Sequence, residues 1–482
     1  MLVGVGTCFD NPEDVEAVEL MVRASVSAAN DAGAAELLGA VQRVAVPRGT
    51  WSYTDPGRVV AERIGARDAQ THLVDLGIPQ QTLINQALTG ILAGELDVAL
   101  VVGAEAKARA ARAAKRSQAA NAEGIASVLR RGGPEAPEID QHGAVPDVHQ
   151  TPEGEILARA ELEAGLWAPV EQYALMESAL RAADGITIDA HRREIAELWS
   201  RFSAVASTNP EAAYPVQMSA DDLLEFGADN RPIAFPYGKW HASQWTVDQA
   251  AALLFCSAEA AERFGVEQRI FPLVGVESSA AMSLTKRRQL ARWPAMRVLG
   301  EAAAERIGRP LAECEHAELY SCFPLAVRVQ QRELGLPVDG TPTITGGMAF
   351  AGGPFNSFVL QATAAMARRL REQPGLGLVT TVSGMLTKSG LAVWSSEPDG
   401  QPPLVEDLCP ATDTVHVTRA YEGRATVAAC TVTYNPDTLI AILDTPDGNR
   451  VIAKSTDATL VERATTEELV DVTLAVSGNQ LG

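Results

Sequence analysis

The run Thr345-Gly346-Gly347-Met348-Ala349-Phe350-Ala351-Gly352-Gly353-Pro354 sets two glycine pairs around a short apolar stretch. Glycine lets a backbone approach a ligand closely, so Gly346, Gly347, Gly352 and Gly353 could cradle a small molecule. The same glycines would equally serve tight turns. A second run, Lys107, Arg109, Arg112, Lys115 and Arg116, is basic within an acidic chain. Arg109, Arg112 and Arg116 share one helical face, which suits either a bound phosphate or a solvated surface. Cys8, Cys256, Cys314, Cys322, Cys409 and Cys430 are scattered, none forms C-x-x-C, and no histidine spacing points to a metal site. Reduced, buried core thiols are the expectation for them. His241 and His316 read as satisfied surface or core side chains.

These residues need a scaffold of some size. At 482 residues the chain is too long for one core, and two to four domains are expected. It is 46% hydrophobic without an 18-residue apolar run, so no membrane insertion is expected. Met1 to Gly6 lacks a basic segment leading into an apolar one, which argues against a secretory signal and for a cytoplasmic location. A formal net charge of −21 disfavours nucleic acid as a partner and favours solubility.

The elements that would position the candidates alternate between strand and helix, an α/β pattern. Leu2–Gly6 reads as a buried strand. A helix follows with Asn11 as N-cap, Pro12 at its first position, and Val15, Val18, Val22, Val26 and Ala29 as its apolar stripe. Pro79 opens a second, largely apolar helix that Gly94 ends, and Asp97–Val102 is a strand covered on both faces. A similar unit recurs late: a helix over 356–371, a break at Pro374-Gly375, a strand over Leu378–Val382 and a turn at Ser383-Gly384. The recurrence hints at internal duplication. Lys107 to about His241 reads as a mostly helical insertion, and Asp248–Phe255 returns to strand character. After a linker at Pro398–Pro403, alternating runs such as Thr426–Tyr434, with a turn at Pro446–Asn449, indicate a small β-rich domain. One short helix is expected there from Thr465 or Thr466.

Four segments, in order, resemble the thiolases. Thr345–Pro354 is similar to their G-G-x-x-x-x-G-H-P loop, and Ile91–Glu105 to the segment after their nucleophilic helix. Asp248–Gly265 resembles the strand and helix closing their N-terminal half, and Glu318-Leu319-Tyr320-Ser321-Cys322-Phe323 their E-L-H-D-C-F motif. The resemblance implies a duplicated five-layer αβαβα fold: an N-terminal half over 1–268 carrying a helical loop domain at about 107–242, and a C-terminal half over 269–396. Residues 397–482 would add an OB-like barrel. This addition, with Gly49–Gly57 and Phe235-Pro236-Tyr237, resembles the type-1 thiolase-like proteins.

Each family catalytic position is altered. Gly77–Gln80 offer no thiol at the nucleophile's place, and no cysteine lies between Cys8 and Cys256. Tyr320 stands for the water-positioning Asn or His, Gly353 for the loop histidine, and Val382–Met385 lack the second cysteine. Acyl-cysteine catalysis needs a thiolate and a positioned base, so a standard thiolase reaction is not expected. The resemblance instead implies binding of coenzyme A or an acyl thioester, with no metal and no further cofactor. The coenzyme's phosphate would dock at Arg109, Arg112 and Arg116. Asn356 and Ser357 either donate to the thioester oxygen or cap their helix. Tyr320 is the candidate acid/base of an alternative, an acyltransferase or an aldolase like those of sterol side-chain breakdown, which rely on tyrosine and an OB-fold partner. A buried, hydrogen-bonded tyrosine is the other reading, packing is the expectation for Cys322, and a non-catalytic scaffold is the third possibility. Thiolases are usually dimers or tetramers. The added domain could cover a dimer edge, which favours a monomer.

Overall fold

The computed structural model describes residues 1–117 and 138–482, with backbone alone at 115–117. The first half builds a sheet from β1 (Leu2–Cys8), β2 (Arg43–Pro47), β3 (Gln70–Val74), β4 (Val98–Ala106), β5 (Val148–Gln150) and β8 (Asp248–Cys256), in the order β1-β8-β4-β2-β3-β5. β8 lies between β1 and β4 and runs antiparallel to both. The second half repeats the arrangement with β9 (Phe271–Ser278), β10 (His316–Glu318), β11 (Leu376–Ser383) and β12 (Lys388–Ser395), ordered β10-β11-β12-β9. β12 separates β11 from β9 as β8 separates β4 from β1.

Helices complete five layers. α1 (Ala17–Asp31) and α2 (Pro56–Arg63) cover the outer face of the first sheet. α3 (Gln80–Leu92) is sandwiched between the sheets, touching β2 and β4 of one and β9 and β12 of the other. Its buried residues include polar Gln80, Gln81, Thr82 and Asn85 as well as Leu83, Ile84 and Leu88. β4 and β8 are near-continuous runs buried on both faces, as their composition predicts.

The first helix departs from the sequence expectation. It starts at Ala17, not after Asn11. The Asn11 side chain accepts from Val15 N at 2.8 Å and donates to Val15 O at 2.8 Å, closing a turn that competes with a helix. Its buried face only partly follows the expected stripe: Val18 and Ala29 are buried, but Val26 is exposed, and Ala24 and Ala28 are fully buried. The small residues win because the helix lies directly on Gly4 and Gly6 of β1, where an added Cβ would meet Ala28 O at 2.1 Å and Ala24 O at 2.0 Å.

The insertion begins with α4 (Lys107–Ser117) and contains α5 (Pro169–Asp184), α6 (Ile188–Thr208), β6 (Pro232–Ala234) and β7 (Tyr237–Gly238). The loose segment expected at 132–151 lies partly outside the described residues, and its end forms β5 on the edge of the first sheet. In the second half, α7 (Pro294–Ile307) and α8 (Pro324–Glu333) are the outer helices. α9 (Phe358–Glu372) is the counterpart of α3, packed on β1, β8 and β11.

Beyond the expected linker, β13 (Leu404–Asp407) returns to the second sheet and pairs in parallel with β9. A closed five-stranded barrel follows, made of β14 (Tyr421–Thr433), β15 (Thr438–Asp444), β16 (Arg450–Ser455), β17 (Thr473–Gly478) and β18 (Gln480–Leu481). The β14–β15 pairing closes it. Leu439, Ala441 and Leu443 fill the barrel, while Ile440 and Ile442 between them belong to the main core, so β15 is buried on both sides. The turn at 446–449 sits where expected, between β15 and β16. The helix, α10 (Ala458–Thr466), ends where the sequence reading had it begin. Asp457 sets the start by accepting from Leu460 N at 3.0 Å. The barrel docks on α5: Ser178 accepts from Cys430 N at 2.9 Å, and Arg181 pairs with Glu468 at 2.8 Å.

Candidate functional site

The N-terminal ends of α3 and α9 meet in the core. Gln80, the first residue of α3 and only 3% exposed, accepts from Val359 N at 2.8 Å. Thus a side chain of one central helix caps the first turn of the other, satisfying one of the amides a helix start leaves unpaired. Gln80 Nε2 also donates to Asn356 Oδ1 at 3.4 Å. Tyr320 stands against the same point, its ring edge-on to Phe358 at 5.8 Å. A buried relay fixes its backbone: Tyr320 N donates to Thr380 Oγ1 at 2.9 Å, and Gln330 Nε2 donates to Tyr320 O at 2.8 Å.

Burial pushes the Tyr320 phenol well above its ordinary value, the nearby Cys322 adds to this, and its hydrogen bond with Gln80 opposes it. The phenol therefore stays neutral: it can donate a hydrogen bond but is neither a resting base nor a ready acid. Cys322 is pushed up to about 12 by burial, against the pull of a hydrogen bond to Tyr173. A thiol held so far from its thiolate has no nucleophilic character at neutral pH.

The glycine run is buried and tied to the fold by its own amides. Glu318, fully buried, accepts from Ile344 N at 2.7 Å, Thr345 N at 2.9 Å, Thr343 Oγ1 at 2.9 Å and Thr345 Oγ1 at 3.0 Å. Gly346 N and Gly347 N donate to Thr343 and Thr345 side chains, Met348 N to Ser321 Oγ, and Gly353 N to Gln244 O. Desolvation pushes Glu318 up to about 7, and these donors pull the other way. The space a cradle would offer is filled by neighbours. A Cβ on Gly346 would meet Ala206 at 2.4 Å, one on Gly347 would meet Phe202 at 2.5 Å, and one on Gly352 would meet Gln249 at 2.5 Å. At Gly353 it would stand 1.8 Å from Ser243 Oγ. A side chain at Gly353 would have to displace the Ser243 hydroxyl.

Asn356 and Ser357 precede α9 without capping it by their side chains. Asn356 Nδ2 donates to Arg48 O at 3.1 Å, and Ser357 Oγ to Pro354 O at 3.1 Å. The Ser383–Leu386 turn is held by buried Arg287. Its guanidinium donates to Leu386 O at 2.9 Å and also to Met385 O. Burial lowers Arg287 to about 10. Its neighbours Lys286 and Arg288 are half-exposed and pair with Glu155 and Asp413.

Arg109 and Arg112 lie apart from this cluster, turned toward the loop before α1. Arg109 Nε donates to Asp14 O at 2.8 Å, and Arg112 bridges Asp14 at 2.8 Å and Asp248 at 2.6 Å. The side chain of Arg116 lies outside the described residues. His241 is buried and accepts from Gly238 N at 3.2 Å. Among the described residues no group of three His, Cys, Asp or Glu is placed to hold a metal ion, and no helix is long and apolar enough to cross a membrane.

The structure thus gathers Tyr320, the glycine run, Asn356 and Ser357 at one place and leaves the arginines elsewhere. Gln80, Ser243 and Arg287 are the members that sequence reading did not assign. Gln80 carried one signal: with Gln81, Thr82 and Asn85 it opens a buried helix on a polar note.

No protein-family model matches the sequence, and no curated protein matches it. Solved structures do. A monomeric SCP2-thiolase like protein type 1 from Mycobacterium smegmatis is 27% identical, with a TM-score of 0.82 over 100% of this chain and 98% of that one. An Ltp2-ChsH2(DUF35) aldolase is 17% identical, with a TM-score of 0.58 over 82% of this chain and 97% of that one. An acetyl-CoA acetyltransferase from Syntrophomonas wolfei is 16% identical, with a TM-score of 0.57 over 82% of this chain and 98% of that one.

Proposed function

Because the chain belongs to the thiolase superfamily, we propose that it binds coenzyme A or an acyl thioester and carries out no cysteine-dependent thiolase reaction. One observation carries the second part of this reading: the first residue of the buried helix α3 is Gln80, hydrogen-bonded to the start of α9, where thiolase chemistry needs a thiolate. Ser243 against Gly353 extends it, since a histidine there would have to displace the Ser243 hydroxyl; the binding part rests on the superfamily alone. Isothermal titration calorimetry of the full chain with coenzyme A and a series of acyl thioesters tests the proposal. Saturable binding with no thiolytic turnover is expected; no binding of any of them, or thiolytic turnover that alkylation of the cysteines abolishes, defeats it. A monomer is part of this reading, in line with the description of the Mycobacterium smegmatis protein, and light scattering tests it.

Tyr320 supports a second reading, a lyase or acyltransferase in which its phenol donates a hydrogen bond to a carbonyl or enolate oxygen. Its neutral, buried state next to Gln80 suits a hydrogen-bond donor and not a general acid, and the fused barrel would stand in place of a separate partner. Tyr320→Phe retaining full turnover on a responsive thioester would remove this mechanism and leave the binding proposal intact.

A further inference from the structure

Gln80 is 3% exposed and Tyr320 8%, so a ligand reaches either only when a covering segment moves. The segments around them are tied down unequally. The glycine run is held by Glu318, Ser321 and the Thr343 and Thr345 hydroxyls, and the Ser383–Leu386 turn by Arg287. Residues 151–157, between β5 and the short helix Arg159–Ala164, differ: no backbone–backbone hydrogen bond joins them to any described residue. The flanks of this strap are fixed. Asp75 N donates to Gln150 O at 2.9 Å on one side. On the other, Ala158 N donates at 2.8 Å to buried Glu161, whose second oxygen accepts from Thr285 N at 2.7 Å.

The middle of the strap lies across both halves. Ile156 packs on the turn that leads into α3 and on the turn after β11: a Cβ on Gly77 would stand 2.8 Å from Ile156 Cδ1, and one on Gly384 would stand 3.0 Å from Ile156 Cγ2. The same Cβ on Gly77 would meet Pro152 at 3.2 Å. Both turns adjoin the site. Gly77 closely precedes Gln80 in the chain. Tyr173 donates to Gly384 O at 3.5 Å and is hydrogen-bonded to Cys322, close to Tyr320. Little that is polar holds the strap down. Lys388, 2% exposed, reaches from β12 and donates to Glu153 O at 3.2 Å. Lys286 pairs with Glu155 at 2.7 Å where both are half-exposed, and solvent screens that pair. Lifting the strap therefore disturbs less structure than moving either turn. We propose that residues 151–157 close the way to Gln80 and Tyr320, and that a thioester is admitted only as this strap lifts. The inference rests on the thioester reading and gives that site a gate. Lifting also uncovers the Lys388 ammonium, a signal that needs no ligand.

A disulfide across the strap tests it. A Cβ on Gly154 would stand 2.7 Å from that of Ala281, about 1 Å short of disulfide spacing, so Gly154→Cys with Ala281→Cys can lock the strap shut. Cys409→Ser is added because Cys409 Sγ lies 3.2 Å from Ser279 Oγ and could mispair. The full chain is titrated with coenzyme A by calorimetry, and Lys388 is labelled with acetic anhydride and read by peptide mass spectrometry, each with the staple oxidised and reduced. The oxidised chain is expected to bind coenzyme A about a hundredfold more weakly than the reduced one and to label Lys388 about tenfold more slowly. Ile156→Ala needs no staple and should act in the opposite sense, strengthening coenzyme A binding by about threefold or more and speeding the label, whereas a merely structural strap would give weaker binding. Equal affinity with the staple open and closed, a label rate the staple does not change, or no gain in Ile156→Ala overturns the gate. If the unsubstituted chain binds no coenzyme A, the thioester reading fails, and the Lys388 label alone decides whether the strap lifts.

Discussion

The two halves of the molecule run the same course up to one segment and then part. In the first half α2 leads into β3, which joins the sheet in parallel with β2 and hands the chain to α3. In the second half α8 leads into residues 334–357, which form no strand and carry the glycine run before α9. β3 satisfies its amides in a ladder. The glycine run satisfies its own through Glu318, Ser321 and the Thr343 and Thr345 hydroxyls. Where one half used regular pairing, the other used a buried carboxylate and side-chain oxygens, which leaves the backbone free to bend around the start of α9. The irregular segment is the one that reaches the site.

Breaking that substitute for a strand should produce the largest effect. Glu318→Ala leaves several buried donors unmet and is expected to destabilise the chain by about 4 kcal/mol, read as the shift of a urea unfolding midpoint. A change below about 1 kcal/mol would mean that the loop holds itself without the carboxylate. Next comes Gly353→His, which restores the family residue into a space that Ser243 occupies. A loss of about 3 kcal/mol is expected, partly recovered by Ser243→Gly in the same chain. An unchanged midpoint in the single variant would show that the loop yields. Gln80→Leu removes the cap linking the two halves and is expected to cost about 1–2 kcal/mol, with α9's first amides exchanging faster in hydrogen-exchange measurements.

A further effect concerns pH. Burial raises Glu318 from its ordinary value of 4.5 to about 7 in the folded chain. Between those values the folded state binds more protons than the unfolded state, so this group's contribution to stability falls as pH rises through that window. Glu318→Gln should flatten that part of the stability profile, measured by denaturation at a series of pH values. A slope identical to that of the parent chain would show that the loop's hydrogen bonds outweigh desolvation.

Much of the architecture was legible from local pattern. The apolar runs of β4 and β8, the helix start after Pro79 and the turn at 446–449 each depend on neighbours in sequence, and each stands where expected. What failed depended on partners far away. The valine stripe of α1 lost to alanines because Gly4 and Gly6 draw the helix in. β13 extended the second half beyond the expected linker because β9 offered an open edge. The barrel helix was misplaced since Asp457 was a stronger start than the threonines at its end. At the site, the glycines were readable as close-approach positions, but their neighbours Ala206, Phe202, Gln249 and Ser243 come from the insertion and from β8. No spacing along the run shows whether a ligand or the protein itself is what comes near.

The position of β8 has a consequence for synthesis. β1 and β4 both pair with it and not with each other. At about 5–20 residues per second, a ribosome needs roughly 7–30 s to make the roughly 140 residues between Ala106 and Asp248. Throughout that interval two apolar strands wait with unpaired edges on a nascent chain, which makes this stretch of translation the one where a chaperone that shields strand edges would matter most.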